Sequence, residues 1–414
     1  MTPSLAQRYD ALLLDLDGVV YRGDEVIPAA SAVLEKARTL GAVPLFMTNN
    51  SSRTPDQVAE KLGRLGVRAS AEEVMTSAQA TAAMLESEGS AGLTSFVIGE
   101  RGIREALEAV GVRILDGDPD RTDLVVVGWD RSVDYPKLRR AALLVQHGAR
   151  LVATNADASY PAPDGMWPGA GALLASVVAT TGATPTIVGK PARPMFEAAA
   201  RRVAAARGGQ ATDFLVVGDR TDTDIAGAAG MGWDSLLVLT GASRPADLLR
   251  VNELPTYVGA DLSMLLHDPP PGRFRRANRG DVPALAELLS RSGLSNGALV
   301  ERVDSTVVCF SPNGDAAATA CVEVEDGFGI LRSVAVQERF RGQGLGMLAV
   351  AAAVRSARSR PLHHLSLFTE TASRFFERLG FQPVSRTDLP ASVQRSKQAA
   401  EECSESAIPM VLPL

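Results

Sequence analysis

Short apolar runs alternate with alanine- and leucine-rich segments from the start of the chain. The first run, Ala11 to Leu14, is continuously apolar, which is typical of a parallel strand covered on both faces. Similar runs follow in "AVPLFMTNN", "SFVIGE", "DLVVVGWD", "RLVATNAD", "DFLVVGDR" and "DSLLVLTG". Segments such as "AASAVLEKARTLG" lie between the runs and predict crossover helices. The pattern therefore predicts an α/β fold with a parallel sheet.

The pattern changes after "HDPPPGRFRRA", residues 267–277. Its three consecutive prolines resist both helix and sheet, so this stretch predicts a linker between domains. Beyond it, "FRRANRGDVPALAELLSRSG" predicts a strand and a helix, and "STVVCF", "AAATACVEVED" and "GILRSVAVQ" predict antiparallel strands. The segment "GLGMLAVAAAVRSAR" predicts a helix after a glycine-rich loop. The chain thus divides into an α/β part and a smaller α+β part.

Composition narrows the classes of function. A chain of 414 residues, 46% hydrophobic and 22% charged, can form two or three domains with a large core. The net charge of -6 gives no general attraction to nucleic acid or to anionic membranes. Three widely spaced cysteines without a CxxC motif fit a reducing compartment. Neither a signal peptide nor a run of about 18 apolar residues is found, so we expect a cytoplasmic protein that binds neither nucleic acid nor membrane.

Polar clusters follow four of the predicted strands. Because the carboxyl ends of parallel strands meet at one edge of a sheet, these clusters are expected to converge there. Two of their acids, Asp15 and Asp17, would project together from an extended strand, and like charges held close call for a cation. The clusters are Asp15 and Asp17; Thr48, Asn49 and Asn50; Gly189, Lys190 and Pro191; and Asp219, Asp222 and Asp224.

This set of residue types matches what phosphoryl transfer requires. Asp15 is the natural nucleophile, and Asp17 is the natural general acid and base. Thr48 and Asn49 offer hydrogen-bond donors, and Lys190 offsets the negative charge. The remaining acids suit Mg²⁺, which prefers hard oxygen ligands. Of these acids, Asp219 is expected to bind the metal and Asp224 to be a further ligand or to support the first.

The order D-x-D, T-N-N, G-K-P and G-D-x-x-x-T-D resembles the four-part signature of the haloacid-dehalogenase (HAD) superfamily. "DLDGVVY", "TNNSSRT" and "GDRTDTDIAGA" are similar to the branch of 4-nitrophenyl phosphatases, pyridoxal-phosphate phosphatases and glycerol-phosphate phosphatases. The resemblance implies an Mg²⁺-dependent phosphatase that works through an aspartyl-phosphate, with the residue roles given above. It also implies that Asp17 binds the metal through its backbone carbonyl. The implied metal site is made by Asp15, Asp17, Asp219 and Asp224.

The same resemblance assigns domain boundaries. They are 1–81 and 186–266 for the HAD core, 82–185 for an inserted α/β cap, 267–273 for the linker and 274–414 for the last domain. The cap motifs "ATNADASYP" and "PGAGALL" are similar to caps of this branch, which exclude water and select the leaving group. Asn50, Asn155 and Asp157 are the expected substrate-binding residues, together with 168–171. The alternative for the cap residues is ordinary loop and helix-capping chemistry.

In "VAVQERFRGQGLGMLAV" a glycine-rich loop lies between a predicted strand and a predicted helix. Backbone amides in such a loop, at the amino end of a helix, favour an anion such as pyrophosphate. The loop resembles the R/Q-x-x-G-x-G/A loop of GNAT N-acetyltransferases, and residues from about 273 onwards resemble small acetyltransferases associated with arsenic resistance. The resemblance implies acetyl-CoA binding by Val334, Val336, Arg341, Gly342, Gln343, Gly344 and Gly346.

The C-terminal part departs from the GNAT pattern at one position. Phe376 stands where many GNAT enzymes have a tyrosine general acid, and a phenylalanine cannot donate a proton. Glu323 and Glu325 could serve as a base, or they could form the polar face of a half-exposed strand. Acetyl-CoA binding is therefore the expectation, and acetyl transfer is left open.

The expected function is Mg²⁺-dependent hydrolysis of a small phosphorylated metabolite. Glycerol 3-phosphate is the first candidate, ahead of pyridoxal phosphate, sugar phosphates and nucleoside monophosphates. Two alternatives remain: an acetyltransferase with the HAD half as a scaffold, and a phosphatase regulated by acetyl-CoA. Caps of this branch often pair in dimers, so the resemblance also implies a homodimer.

Overall fold

The computed structural model describes residues 3–162, 164–209, 211–297, 299–325, 327–394 and 406–413. Contacts within the chain divide it into two compact units, 3–235 and 236–414. Among the described helices, none combines the length and the apolar character that crossing a membrane would require.

The first unit alternates strands and helices, as the apolar runs predict. Its strands are β1 (Ala11–Leu14), β2 (Tyr21–Arg22), β3 (Glu25–Val26), β4 (Pro44–Thr48), β5 (Val74–Thr76), β6 (Thr94–Ile98), β7 (Arg113–Ile114), β8 (Leu124–Val127), β9 (Arg150–Ala153), β10 (Ser159–Ala162), β11 (Gly165–Pro168), β12 (Thr186–Ile187) and β13 (Phe214–Gly218), and β14 (Asp234–Val238) begins in it. Its α-helices are α1 (Ala30–Thr39), α2 (Pro55–Arg64), α3 (Ser77–Ser87), α4 (Arg101–Ala109), α5 (Tyr135–Gln146), α6 (Ala170–Thr181), α7 (Arg193–Arg207) and α8 (Ala226–Met231).

Strand β1 lies inside a parallel sheet, between β13 and β4, and β5 follows β4. Leu13 pairs with Val216 on one side and with Leu45 on the other. On one face, Leu13 packs in a cluster with side chains of α3 and α7. Leu12 and Leu14 point to the opposite face and are also fully buried. This two-sided burial explains why the run is apolar at every position.

The inserted segment forms its own parallel sheet, in the order β12-β9-β8-β6-β7, and β10 and β11 form an antiparallel hairpin. Side chains of α5 and α6 pack against β6, β8 and β9. The segment docks on the loop that follows β4. There, Gly102 N donates to Ser52 O at 2.9 Å, and Trp129 N donates to Ser51 Oγ at 3.1 Å. The loop after β4 is therefore one joint between the inserted sheet and the core sheet, beside an apolar cluster that includes Met47 of β4 and Val97 of β6.

The second unit contains a mixed sheet. Its strands are β15 (Tyr257–Gly259), β16 (Arg275–Arg276), β17 (Thr306–Phe310), β18 (Ala316–Glu325), β19 (Phe328–Val336), β20 (His364–Thr369), β21 (Gln382–Pro383) and β22 (Ile408–Pro413). Its α-helices are α9 (Val282–Arg291), α10 (Leu299–Arg302), α11 (Leu345–Ala357), α12 (Ser373–Arg378) and α13 (Ala391–Gln394). The sheet order is β16-β17-β18-β19-β20-β22-β21. Its neighbours are antiparallel except β19 and β20, which are parallel.

Strands β19 and β20 separate after a short paired region. They pair only from Phe328 to Ile330 on β19. Further along β19 the register with β18 shifts, and Ser333 adopts a left-handed φ of 53°. A bulge of this kind bends a strand and interrupts its ladder. The consequence is a wedge between two neighbouring strands of one sheet.

The segment 236–266 packs with the second sheet. Arg358 donates to the carbonyls of Leu249 and Val251, and a Cβ on Gly344 would lie 2.3 Å from Val258 O. For this reason the division between units falls at 235/236, ahead of the predicted linker 267–273, which contains neither helix nor strand. The domain boundaries assigned from the sequence stay a prediction.

The basic stretch before α9 is held by intramolecular partners. Arg275 makes two hydrogen bonds to Asp281, at 2.7 and 2.8 Å, and its guanidinium lies 5.0 Å from the centre of the Phe310 ring. Arg276 donates to Ser356 Oγ at 2.8 Å. These contacts agree with the interpretation of this stretch as a first strand.

Candidate active site

Lys190 lies at the centre of a buried group of charges. Its Nζ atom is 2.7 Å from Asp15 Oδ1 and 2.7 Å from Asp224 Oδ1. It is also 3.4 Å from the carbonyl oxygen of Met47 in β4. Lys190 is 5% exposed and Asp224 is 1% exposed, so these charges interact with little screening by water. The structure thus brings together three residues that the sequence placed in separate motifs.

Burial and the neighbouring charges act in opposite directions on the pKa values of this group. It raises the pKa of Asp15, an effect that the Lys190 ammonium opposes and that Asp219 reinforces. It also raises the pKa of Asp224 to about 6, again against the effect of Lys190. For Lys190, burial lowers the pKa, but the carboxylates of Asp15 and Asp224 outweigh burial and raise it overall. The site therefore combines carboxyl groups whose pKa values are raised with a lysine that stays protonated.

Carboxylate oxygens of Asp15, Asp219 and Asp224 lie within 4.8 Å of one another. Asp15 follows β1 directly, and Asp219 follows β13, so both project from the carboxyl ends of adjacent parallel strands. When ionised, the three carboxylates outnumber the single ammonium of Lys190. A divalent cation bound by these hard oxygens would balance the excess negative charge.

Asp17 lies apart from this cluster, at an exposed position. The chain turns at Gly18, which has a φ of 80° and donates from its N–H to Tyr21 O at 2.7 Å. The pKa of Asp17 is raised because the surrounding loop removes part of its hydration, while the nearby Lys61 ammonium opposes the rise. The turn therefore directs the two acids of the first motif to different surroundings.

Sequence reasoning missed Lys61 and Tyr21. Lys61 lies on α2 with Nζ 3.9 Å from the centre of the Tyr21 ring and 3.5 Å from Asp24 Oδ1. Its pKa is lowered, first by burial and then by the neighbouring Arg53 guanidinium. The signal in the sequence was a lysine on an otherwise amphipathic helix, which a charged outer face explains equally well.

Thr48 and Asn50 shape the turn that follows β4. Asn50 N donates to Thr48 Oγ1 at 3.2 Å. Asn50 Oδ1 accepts from Ser52 N at 2.9 Å and from Ser52 Oγ at 2.8 Å. The Asn50 carbonyl is thus used within the turn, and the expectation that Asn50 binds substrate stays a prediction.

Asn49 connects this turn with both Lys190 and the inserted segment. Lys190 N donates to Asn49 Oδ1 at 2.8 Å, and Asn49 Nδ2 donates to Lys190 O at 3.1 Å. Asn49 Nδ2 also donates to Asp157 Oδ2 at 2.9 Å. Asn155 Nδ2 donates to Asn49 O at 2.7 Å. The two residues singled out in the cap motif therefore contact the second core motif.

Arg220 is a third residue that sequence reasoning missed, although it directly follows Asp219. It forms two hydrogen bonds to Asp222, at 3.1 and 2.8 Å. Burial lowers the pKa of Arg220, but Asp222, and then Asp157 and Asp224, outweigh burial and raise it overall. Asp222 therefore serves as a partner for Arg220 at the edge of the site.

A separate cavity of about 820 Å³ occupies the wedge between β19 and β20. Six of the residues predicted to bind a cofactor line it: Val334, Val336, Arg341, Gly342, Gly344 and Gly346. Gln343 is not among its described lining residues, and its side-chain amide donates to Arg339 O at 3.1 Å instead. The glycine-rich loop thus lies between the end of β19 and the start of α11, as the sequence predicted.

The cavity has no proton donor at position 376, where many GNAT enzymes have a tyrosine general acid. Phe376 lines it and packs edge-on against Phe375 and Phe381, so no hydroxyl is available there. Glu323 is ion-paired with Arg332 at 3.1 Å and with Arg302 at 3.2 Å. The side chain of Glu325 lies outside the described residues.

Three family models match the chain. Residues 12–113 match a haloacid dehalogenase-like hydrolase, and residues 187–265 match a HAD-hydrolase-like family. Residues 278–381 match the acetyltransferase (GNAT) family. The matches therefore cover the four polar clusters as well as the glycine-rich loop.

Proteins with similar sequences include phosphatases. The D-glycerol 3-phosphate phosphatase of Mycobacterium tuberculosis is 39% identical over 64% of this chain and 73% of its own length. The acid sugar phosphatase of Staphylococcus aureus is 38% identical over 62% of this chain and 96% of its own length. A crystal structure of the M. tuberculosis glycerol phosphate phosphatase in complex with magnesium has a TM-score of 0.70 and 31% identity, covering 92% of this chain and 98% of that one. The chain therefore belongs to the haloacid dehalogenase-like hydrolases, as a phosphatase with a GNAT-family domain at its C-terminal end.

Proposed function

We propose that the first unit hydrolyses small phosphomonoesters with Mg²⁺ and that Asp15 forms an aspartyl-phosphate intermediate. The proposal is carried by the Lys190 ammonium, which lies 2.7 Å from both Asp15 and Asp224. A lysine in this position offsets the negative charge around the Asp15 carboxylate and can contact a phosphoryl oxygen. The magnesium complex of the M. tuberculosis phosphatase supports the choice of metal.

The reaction divides into two transfers. An Asp15 oxygen attacks phosphorus, the bond from phosphorus to the leaving oxygen breaks, and Asp17 gives its proton to that oxygen. Asp17 then accepts a proton from water, which attacks the phosphorus of the acyl phosphate and releases inorganic phosphate from Asp15. The raised pKa of Asp17 favours its role as the acid in the first transfer. The Thr48 hydroxyl and the Lys190 ammonium hold the phosphoryl oxygens.

The acids present fit a magnesium ion. Carboxylates of Asp15 and Asp219 and the backbone carbonyl of Asp17 would hold it, with Asp224 as a further ligand or as support. When bound, Mg²⁺ would offset charge on the phosphoryl group. Such a cation would balance the negative charge that these three carboxylates, two of them buried, leave beside the single ammonium of Lys190.

Glycerol 3-phosphate is the proposed substrate, with sugar phosphates second. The support comes from two relatives, a D-glycerol 3-phosphate phosphatase and an acid sugar phosphatase. Substrate binding by Asn50, Asn155 and Asp157, a homodimer and a cytoplasmic location stay predictions.

The test is phosphate release from a panel of small phosphomonoesters with Mg²⁺, beside the Asp15→Asn variant. We expect glycerol 3-phosphate to be preferred and Asp15→Asn to lower kcat by about 1000-fold or more, as loss of a nucleophile does. A chelator should abolish the activity of the wild-type protein. Turnover by Asp15→Asn near the wild-type rate would contradict the assignment of the nucleophile.

We also propose that the second unit binds acetyl-CoA in the wedge between β19 and β20. Two observations favour this second function. The cavity of about 820 Å³ is large enough for part of a nucleotide cofactor, and its wall includes the glycine-rich loop at the amino end of α11. Because Phe376 cannot donate a proton, the proposal is limited to binding; acetyl transfer as the principal activity would need another acid.

Calorimetric titration with acetyl-CoA tests this binding. Gly346→Glu places a carboxylate in the cavity wall, and we expect it to weaken binding by about 10-fold or more through repulsion of the pyrophosphate. Arg355→Ala is the matched control, because it makes the same change of charge in the last turn of the same helix. Equal affinities for Gly346→Glu and the wild-type protein would rule out the glycine-rich loop as the binding site.

A further inference from the structure

A continuous set of hydrogen bonds leads from Asp157 to Lys190. Asp157 Oδ2 accepts from Asn49 Nδ2 at 2.9 Å. The same Asn49 side chain contacts the backbone of Lys190 at two atoms, accepting from its N–H at 2.8 Å and donating to its carbonyl at 3.1 Å. Lys190 Nζ in turn is 2.7 Å from Asp15 Oδ1. Only Asn49 and Lys190 therefore separate an acid of the inserted segment from the proposed nucleophile.

We propose that Asp157 is a positioning residue, which fixes the Asn49 amide and through it the placement of Lys190 beside Asp15. The inference rests on the proposed function in so far as Lys190 serves Asp15. An ionised carboxylate is only an acceptor, so it favours the orientation in which the NH₂ end of Asn49 faces it. That orientation leaves Oδ1 of Asn49 for the N–H of Lys190. The opposite orientation would place two oxygens against each other.

Asp157 is itself held firmly. Its N–H donates to Asn155 Oδ1 at 3.0 Å, and Asn155 is 4% exposed. Its carbonyl accepts from Gly171 N at 2.9 Å, at the start of α6. A Cβ on Gly169 would lie 2.3 Å from Asp157 O, so no side chain fits between the helix and this loop. The carboxylate is therefore preorganised by its own supports.

The surroundings of Asp157 favour positioning over the contact with substrate that the sequence predicts for it. Its Oδ2 atom is already used by Asn49. This hydrogen bond directs the carboxylate towards the core motifs.

Steady-state kinetics of Asp157→Ala on glycerol 3-phosphate and 4-nitrophenyl phosphate test the proposal. We expect kcat to fall about 10- to 100-fold by the same factor on both esters, because a small misplacement of a catalytic group has effects of this size. KM should stay within about two-fold of wild type, the pattern of an interaction that matters in the transition state. Asp157→Asn keeps an acceptor oxygen, so it should recover most of the loss. Asp116→Ala is the control, since Asp116 pairs with Arg104 on the surface of the same segment.

Different losses on the two esters, or a raised KM with an unchanged kcat, would overturn the proposal and indicate contact with substrate. A double-mutant cycle adds a second criterion: in an Asn49→Ala background, Asp157→Ala should cause no further loss, and an additive loss would overturn the proposal. If Asp157→Ala does not fold, the kcat and KM of Asp157→Asn decide, with a few-fold loss in kcat alone expected. A wild-type protein inactive on every ester would defeat the proposed function, whereas an active wild type with an unaffected Asp157→Ala defeats only this inference.

Discussion

Lys190 is the residue on which the buried charges of the site depend. It is 5% exposed and lies between two carboxylates that water reaches poorly. Removing one partner of such a group leaves a charge without compensation, which costs far more than losing a surface pair. The pair between Arg220 and Asp222 is more exposed, with 40% and 67% of the side chains accessible, so its contribution to stability is small.

Lys190→Met should therefore remove both activity and stability. In the presence of a chelator we expect the first unit to lose about 3–5 kcal/mol of unfolding free energy, because Asp15 and Asp224 would then repel each other. Excess Mg²⁺ should restore part of this loss. Thermal unfolding of both proteins with and without Mg²⁺ measures the effect, and Lys36→Met on the exposed face of α1 is the control. Equal melting temperatures for Lys190→Met and wild type would contradict this account of the site.

At the scale of elements, glycines set how closely the inserted sheet approaches the core. A Cβ on Gly102, in the first turn of α4, would lie 2.4 Å from Arg53 O and 2.6 Å from Ser51 O. A Cβ on Gly128 would lie 2.6 Å from Ser51 Oγ. The contacts of Gly102 are with backbone atoms, which cannot rotate away. The close contact at the loop after β4 is therefore possible only because Gly102 has no side chain.

Gly102→Ala should open this joint, and Gly63→Ala is its control. We expect Gly102→Ala to cost about 1–3 kcal/mol through overpacking and to lower kcat, since the loop also carries Asn49. Gly63 is exposed on α2, and nothing lies within 4 Å of its Cβ position. Gly63→Ala should therefore raise the free energy of unfolding by at most about 1 kcal/mol, because alanine has the higher helix propensity. Thermal unfolding and kinetics distinguish the two, and a stabilised, fully active Gly102→Ala would refute the close docking.

Asp130 supports the start of α5 and makes stability depend on pH. It is 3% exposed, and it accepts from Ser132 N at 2.9 Å and from Lys137 Nζ at 2.5 Å. Burial raises the pKa of Asp130, but the hydrogen bonds from Lys137 and Ser132 outweigh burial and lower it overall. Its stabilising effect is thus complete above the unfolded pKa of about 3.9 and is lost as the pH falls through the lower, folded pKa.

Asp130→Asn should consequently lower the melting temperature at neutral pH, with a loss of about 1–3 kcal/mol from the charged hydrogen bonds. The difference from wild type should be constant above about pH 5 and should shrink below about pH 4. A series of thermal melts from pH 3 to pH 7 checks this, and a difference that grows on acidification would show that the sign is wrong.

At the scale of the whole molecule, the chain carries two chemically separate sites. The acid motifs lie within residues 3–235, and the cavity beside the glycine-rich loop lies within 236–414. The first site holds clustered carboxylates around a lysine. The second lies beside the amino end of α11 and is lined by both apolar and charged side chains.

The two functions should respond to separate substitutions. We expect Asp15→Asn to leave the affinity for acetyl-CoA unchanged, and Gly346→Glu to leave phosphatase kinetics unchanged. Calorimetric titration of Asp15→Asn with acetyl-CoA and phosphatase kinetics of Gly346→Glu measure these two effects. Phosphatase assays of the wild-type protein with and without saturating acetyl-CoA then test whether the two sites are coupled. A change in kcat/KM would reveal a coupling free energy and favour the alternative of a phosphatase regulated by acetyl-CoA.

Several features could be predicted because they are local. The run at β1 predicted a strand covered on both faces, and its four residues are fully buried. The glycine-rich loop was expected between a strand and a helix and lies there. Lys61 and Arg220 could not be singled out, because a lysine on a helix and an arginine in a loop have many ordinary explanations. Their importance depends on neighbours that come from other segments.

The sequence by itself determined the order of strands and helices, the four polar clusters and the phosphatase family, because periodicity and motif spacing are properties of neighbouring residues. Only the tertiary structure decided which partners those residues have. Asn49 and Asp157 are 108 positions apart, and their hydrogen bond exists because the inserted sheet docks on the loop after β4. Likewise, Lys190 meets Asp15 only because the turn between β12 of the inserted sheet and α7 lies against the end of β1 in the core sheet. Such contacts depend on packing over the whole unit, and no local pattern records them.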